Sequence, residues 1–386
     1  MSEMTNKTKW DLLAVSLPAF TYFYTIGAVS FWLPLWAEDL GWKYSYITWM
    51  STAFFIAMTP SVFLSGVLAD YTRKPGAILG TGLLLNAFSV ATILLSENPV
   101  IVIPMRGLQG LGLAPTIPIA LGSLTLIAGP ARGSALTLLS SATGMAAGAV
   151  VGGLLIQYSG YYATFMSAVL LSVVSAAISY TYQYPLPPKA PSILEAAKKI
   201  PKQVYIILTA LAIRNFFASG VFSIFAIIFR TIIGLNITAT GLALAANPVT
   251  QSISSQIAPR ISRGREIVTY SIGIAATGLV FYLYLYAYNI QTALLAQILL
   301  GFTYALIMVP GNTYIVSKSP IEIRYTASSL YGLAFNIGWI IGSAISGVYM
   351  DIYSPESWIK LSSIGVLLPA LIALTALIPE KKQEQL

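Results

Sequence analysis

Two arginines stand in runs that are otherwise apolar, and no carboxylate accompanies them. Arg106 lies seven residues into the run that begins at Pro99, and Arg214 lies ten residues into the run that begins near Val204. In a helix these offsets are about 10 Å and about 15 Å, at 1.5 Å per residue. If the runs cross a bilayer, a guanidinium at such depth is expensive and usually faces a cavity or a partner. All 13 Asp and Glu fall in loops, tails or the ends of runs. A carboxylate or phosphate on a solute would supply the missing negative charge through bidentate bonds to the guanidinium fork. Blander alternatives stand beside this one: Arg106 can snorkel to the membrane surface, and Arg214 can bond neighbouring carbonyls.

Polar and aromatic side chains share these runs. Asn215 adjoins Arg214, and Asn247 and Gln251 are four apart, on one helical face. Phe20, Tyr24 and Phe31 follow an i, i+4, i+11 spacing that also fits one face, and Phe217, Phe225 and Tyr304 lie on other runs. Lipid-facing packing explains such aromatics equally well. The series Tyr282, Tyr284, Tyr286, Tyr288 reads as an interfacial belt. Other chemistry finds no support. The chain has no Cys and no His, and it lacks H-E-x-x-H, G-x-S-x-G and Walker A patterns. No enzyme, cofactor or metal site is expected.

Composition says what kind of element carries these residues. Of 386 residues, 56% are hydrophobic and 9% charged, against about 25% charged in ordinary soluble domains. Twelve apolar runs are long enough to cross a membrane, which takes about 20 residues each. The first, roughly 12–36, is too long for a signal-peptide core. Residues 184–203 change character, with Pro185, Pro187, Pro188 and Pro191 ahead of Glu195, Lys198, Lys199 and Lys202. This reads as a linker with a surface-lying amphipathic helix between an N-terminal bundle, 1–183, and a C-terminal bundle, 204–386. The halves repeat. Gly27 maps to Gly220, Gly41 to Gly234 and Leu68 to Ile261 at a shift of 193, and Gly110 to Gly301 and Ala114 to Ala305 at 191. Arg214 and Thr21 are mates at the first shift. Internal repeats of this kind are a feature of secondary transporters.

Three stretches carry a family resemblance. Gly66-Val67-Leu68-Ala69-Asp70-Tyr71-Thr72-Arg73-Lys74 joins the second and third runs. It resembles the loop signature of the major facilitator superfamily, Gly-x-Leu-Ala-Asp followed by bases, with Tyr71 where a base usually follows the acid. Its second copy, from Pro259 to Arg265, has Arg263 in the place of Asp70. Arg106-Gly107-Leu108-Gln109-Gly110 is similar to the family's helix 4 signature. Gly144, Gly148 and Gly152 follow the spacing of its exporter signature, though Ala149 stands where that signature has Pro.

The resemblance implies an all-α membrane protein with twelve transmembrane helices in two pseudo-symmetric six-helix bundles. It also implies alternating access, with helices 1, 4, 7 and 10 lining a central cavity. The expected substrate-binding residues are Arg214, Arg106, Thr21, Tyr24, Phe217, Asn247, Gln251 and Tyr304. Gly66, Asp70, Arg73 and Lys74 are the expected cytoplasmic gate. With that loop in the cytoplasm, 16 of the 21 Lys and Arg lie on its side, against Lys43, Arg230 and Lys360 on the other, in keeping with the positive-inside rule. Both termini are then cytoplasmic in a multi-pass plasma-membrane protein. The net charge of +8 is thereby assigned to the bilayer and not to nucleic acid. A monomer is expected, with a small solute as partner and a coupling proton or counter-anion as a further one. The solute is expected to be a small organic anion. Alternatives are a multidrug/proton antiporter exporting amphipathic compounds, or a non-transporting receptor on the same scaffold.

Overall fold

The computed structural model describes residues 6–185, 201–320 and 324–377, apart from the side chains of residues 6–9, 70, 130, 131 and 324–328. The expected linker helix and the expected end of the C-terminal tail lie largely outside these residues. Ten helical stretches are long and apolar enough to cross a membrane. One of them is two helices that meet at Gly160, whose φ of 79° and ψ of 176° no helix contains. A further 26-residue helix, Ile237–Ser262, is long enough but more polar, so the described residues contain twelve spans.

In chain order, α1 is Asn6–Thr25, continued through a π turn at Ile26–Ser30 and through Leu33–Asp39. Helix α2 is Tyr44–Thr72, α3 Pro75–Leu94, and α4 Pro99–Leu113 with Thr116–Ala128. Helices α5 and α6 are the two parts of Pro130–Thr181 on either side of Gly160. Helix α7 is Lys202–Ser223, continued to a π turn at Ile228–Ile232. Helix α8 is Ile237–Ser262, α9 Glu266–Tyr284, α10 Ile290–Lys318 and α11 Arg324–Ile352. Helix α12 is Pro355–Gly365 with Leu367–Leu374.

Local chemistry sets the ends. Asn98, Asn236 and Asn289 each accept a backbone N–H at the start of α4, α8 and α10, which satisfies an otherwise orphan donor. Asn236, the acceptor position of an Asn-Ile-Thr sequon, is thus a helix cap. Pro75 and Pro355 occupy first-turn positions, where their missing N–H costs nothing.

Helices α1–α6 pack on one another, as do α7–α12, and the two bundles meet along α2 with α11 and α5 with α8. Close approach between helices needs small residues, because apolar surface gains little by leaving lipid. The repeat is visible in these contacts. Gly110 of α4 rests on the Phe54 carbonyl of α2, and Gly301 of α10 rests on the Asn247 carbonyl of α8. Likewise Gly148 of α5 meets the Tyr24 carbonyl of α1, and Gly342 of α11 meets the Phe216 carbonyl of α7. The glycine spacing in α5 is therefore a packing seam against α1.

Among the described residues, the hydrogen bonds and ring contacts between the bundles lie toward one end. We call the end carrying residues 40–43 and 353–354 distal, and the end carrying 73–74 and 263–265 proximal. Helices α2 and α11 run antiparallel, with Tyr44 against Asp351, Thr48 against Gly347, Thr52 against Ser343 at 2.8 Å, and Phe55 against Trp339. Ser51 and Ser223 bond at 3.0 Å, and Thr231 donates to Glu38 at 2.8 Å. Toward the proximal end the pair separates. Phe63 is 53% exposed, and Gly66 and Gly332 face open space.

Candidate functional site

Where α2 and α11 part, a cavity of about 310 Å³ lies between the bundles, near the lower limit of about 300 Å³ for small-molecule sites. Its walls come from α1, α2, α4, α7, α8, α10 and α11, with Met145 added from α5. Helices 1, 4, 7 and 10 all contribute, and so do four others.

Arg106 is the one charged side chain among the described lining residues. It is 3% exposed. Its Nη2 donates to Ser30 Oγ at 3.0 Å and its Nη1 to Gln109 Oε1, while the guanidinium carbon lies 4.8 Å from the centre of the Phe54 ring. Its Nε–H has no partner. A cation over an aromatic face keeps its charge available, and a donor left over in a buried fork is one that a ligand can take.

The opposite wall is aromatic. Trp339 of α11 stacks on Phe222 of α7 at 5.6 Å and on Phe335 at 6.1 Å, with interplanar angles of 23° and 29°. Phe31, Phe225 and Tyr304 also reach the cavity. Amides complete the C-terminal side: Asn247 and Gln251 from α8, Asn336 from α11, and Gln297 from α10. Gln297 is 0% exposed, and neither its Oε1 nor its Nε2 has a partner. An unmet buried polar group costs about 1–3 kcal/mol.

The structure thus brings Arg106, Tyr304, Asn247 and Gln251 together on one cavity. Arg214 is one layer back. It is 1% exposed, lies 5.5 Å from the Phe222 ring and 5.9 Å from the Tyr304 ring, and donates to Asn215 Oδ1 at 2.8 Å and to Thr277 Oγ1 at 3.4 Å. Three other candidates face their own bundles. Thr21 bonds Ser175 at 2.6 Å, and Tyr24 bonds Ser167 at 2.8 Å, both on α6. Phe217 packs against Trp358 and Gly365 of α12. The π turn at Ile26–Ser30 accounts for α1. One extra residue in a turn rotates the rest of the helix by about 100°, so Phe31 meets the cavity while Phe20 and Tyr24 do not share its face. On α7 the helix breaks at Ile224, and the lining residues are Phe222, Ser223 and Phe225.

The expected gate residues are at the proximal end of α2. Gly66 faces open space, and Arg73 takes the left-handed conformation, φ 58°, with its N–H on the Ala69 carbonyl at 3.0 Å. That closes the helix in the manner usual for glycine. Lys74 precedes Pro75 in the turn. Asp70 lies in the last turns of α2, and its side chain is outside the described residues.

Sequence reasoning missed Gln297, Asn336 and Trp339. For Gln297 a signal existed, since the 191-residue shift that carries Gly110 to Gly301 carries Arg106 to Gln297. Asn336 and Trp339 gave none, since nothing in the α11 pattern separates its cavity face from the rest.

Comparison with known proteins places the chain among transporters. The family model described as Major Facilitator Superfamily matches it twice, over residues 15–230 and 207–386. Its structure is similar to the crystal structure of the nucleoside transporter NupG, with a TM-score of 0.80 at 14% identity, covering 96% of this chain and 100% of that one. It is also similar to a bacterial homolog of the human lysosomal transporter Spinster in an inward-facing, unoccupied conformation, with a TM-score of 0.77 at 13% identity, covering 97% and 96%. The POT family transporter PepTSo gives 0.76 at 15% identity, covering 97% and 98%. No curated protein sequence matches significantly. At these identities the likenesses establish the fold.

Proposed function

The chain belongs to the major facilitator superfamily, and from that premise we propose that it is a secondary transporter carrying a small organic anion by alternating access. The observation that supports this reading is the charge of the cavity. Arg106 is the one charged residue among the described lining groups, with no carboxylate to neutralise it and a free Nε–H. Arg214 adds a second positive charge behind Phe222 and Tyr304. Water solvates Arg106 while the cavity is open. On closure, an anionic group replaces that water with charge-assisted bonds. The substrate set is Arg106 with Tyr304, Asn247 and Gln251, and Arg214 acts from one layer back.

The half-zipped interface supports the alternating-access reading. The distal contacts of α2 with α11 seal one end, and the described residues leave the other end open. Rocking the bundles would part the first set and close the second. The stretch Gly66–Lys74, at the proximal end of α2, would latch that end when it closes. By the positive-inside rule that end is cytoplasmic, and the conformation is then inward-open in a plasma membrane. The partners are the solute and the bilayer, the assembly is a monomer, and a proton or counter-anion is the candidate coupling species.

A second reading, export of amphipathic compounds against protons, is favoured by the stacked wall of Phe222, Trp339 and Phe335. A thermal-shift screen of the purified protein against organic anions and cationic drugs separates the two. Stabilisation by anions, lost in Arg106→Gln, supports the first. Stabilisation by cationic drugs alone, equal in wild type and Arg106→Gln, supports export.

A further inference from the structure

Arg106 and Gln297 are pseudo-symmetry mates. Each lies seven residues from the distal start of its helix, α4 at Pro99 and α10 at Ile290. Gly110 and Gly301, four residues further on, rest on equivalent carbonyls of α2 and α8, so the two helices present the same face to the cavity at the same depth. One bundle therefore offers a cation and the other a primary amide. We infer that Gln297 is a specificity-determining residue: it reads a donor–acceptor edge, an N–H beside a C=O, on the uncharged end of the anion whose charged end Arg106 holds. This rests on the anion reading above and names the class of solute more narrowly.

Three observations carry it. Both polar atoms of Gln297 lack partners although the residue is fully buried at the cavity wall. A primary amide presents a donor and an acceptor side by side. Its complement is a lactam, imide or carboxamide, whereas a carboxylate meets the donor only. The surroundings agree. The described C-terminal side of the cavity carries Asn247, Gln251 and Asn336 and no charged group, so a second charge on the solute would find no counterpart there. The flat wall of Phe222, Trp339 and Phe335 suits a planar ring between the two ends. A solute that bridges α4 and α10 also touches both bundles, so its binding is linked to how they close.

The test uses the full-length purified protein and three probes: orotate, with a carboxylate and a lactam edge on one ring; benzoate, with the carboxylate alone; and uracil, with the edge alone. Calorimetry should find orotate bound about tenfold or more tightly than either of the others, because a site built to bond an edge rejects analogues without it. Gln297→Leu should abolish the advantage of orotate over benzoate and leave benzoate unchanged. Arg106→Gln should weaken orotate and benzoate alike and leave uracil unaffected. Gln297→Leu should also melt no lower than wild type, since it removes two unmet polar atoms. An unchanged orotate-to-benzoate ratio in Gln297→Leu overturns the inference, with or without a lowered melting temperature, and so does wild-type protein that shows no preference for orotate. If Arg106→Gln leaves orotate and benzoate unaffected while Gln297→Leu weakens orotate and uracil, the amide edge stands and the anion reading falls.

Discussion

The Asp351 carboxylate at the end of α11 accepts the backbone N–H of Tyr44 at the start of α2, at 2.7 Å, and that of Ser45 at 3.2 Å. The acid of one bundle thus caps a helix of the other, where unpaired amides and the helix dipole both favour negative charge. Such a contact is worth about 0.3–1 kcal/mol when exposed and up to about 2 when partly buried. It ties the two bundles together at the distal end.

Asp351→Ala should therefore shift the protein toward the distally open state. A loss of about 1 kcal/mol changes the ratio of states about fivefold. The chain has no Cys, so spin labels at Phe63→Cys and Gly332→Cys report the proximal gap without background. The variant should gain a shorter-distance population; identical distance distributions would remove Asp351 from the gate.

Arg106→Gln should cost about 2–5 kcal/mol of anion binding, as for other buried charge-assisted contacts. Arg106→Lys keeps the charge but loses the fork and should fall between. Calorimetry with the best anion from the screen checks the order, and equal affinities in all three proteins would refute it.

Arg214→Gln should weaken the same anion less than Arg106→Gln does. Arg214 is bonded to Asn215 and Thr277 behind the aromatic wall, so its charge acts at one remove. Were Arg214→Gln the more damaging in a binding assay with folding intact, the side chain must enter the cavity during transport.

A transmembrane pH gradient should drive little uphill transport, because the described cavity lining holds no carboxylate and the chain no His. Vesicles with an imposed gradient give the measurement. Strong accumulation, abolished by Glu38→Gln or Asp39→Asn, would make a distal carboxylate the coupling group.

Gly342→Ala should destabilise the C-terminal bundle by about 1–3 kcal/mol, because the added methyl meets the Phe216 carbonyl and Ser219 Oγ. Gly332→Ala, ten residues earlier on the same helix and facing open space, should be nearly neutral in helix packing. Thermal unfolding of the two variants side by side separates a packing seam from an open face.

Much of the architecture is legible in the sequence. Apolar runs of bilayer length can only be helices, since backbone groups in lipid must be bonded within the segment, and charges and prolines marked their ends. The nearly constant shift between Gly27 and Gly220 and between Gly110 and Gly301 announced the duplication. Arg106, Asn247, Gln251 and Tyr304 were identifiable because polar or aromatic groups within such runs need a reason. What the sequence could not supply was the direction of each side chain. The π turn in α1 and the break at Ile224 in α7 rotate the faces that a regular 3.6-residue period projects, and so Tyr24 turned to Ser167 while Phe31 met the cavity. Arg214 is as deep as its position implied, yet Phe222 and Tyr304 stand in front of it, an order set by helix packing that no spacing encodes. Gln297 is in register with Arg106 in the repeat, but only the structure shows its amide buried without partners. Composition and period determine which segments cross the membrane; the contacts between helices decide which residue on each faces the cavity.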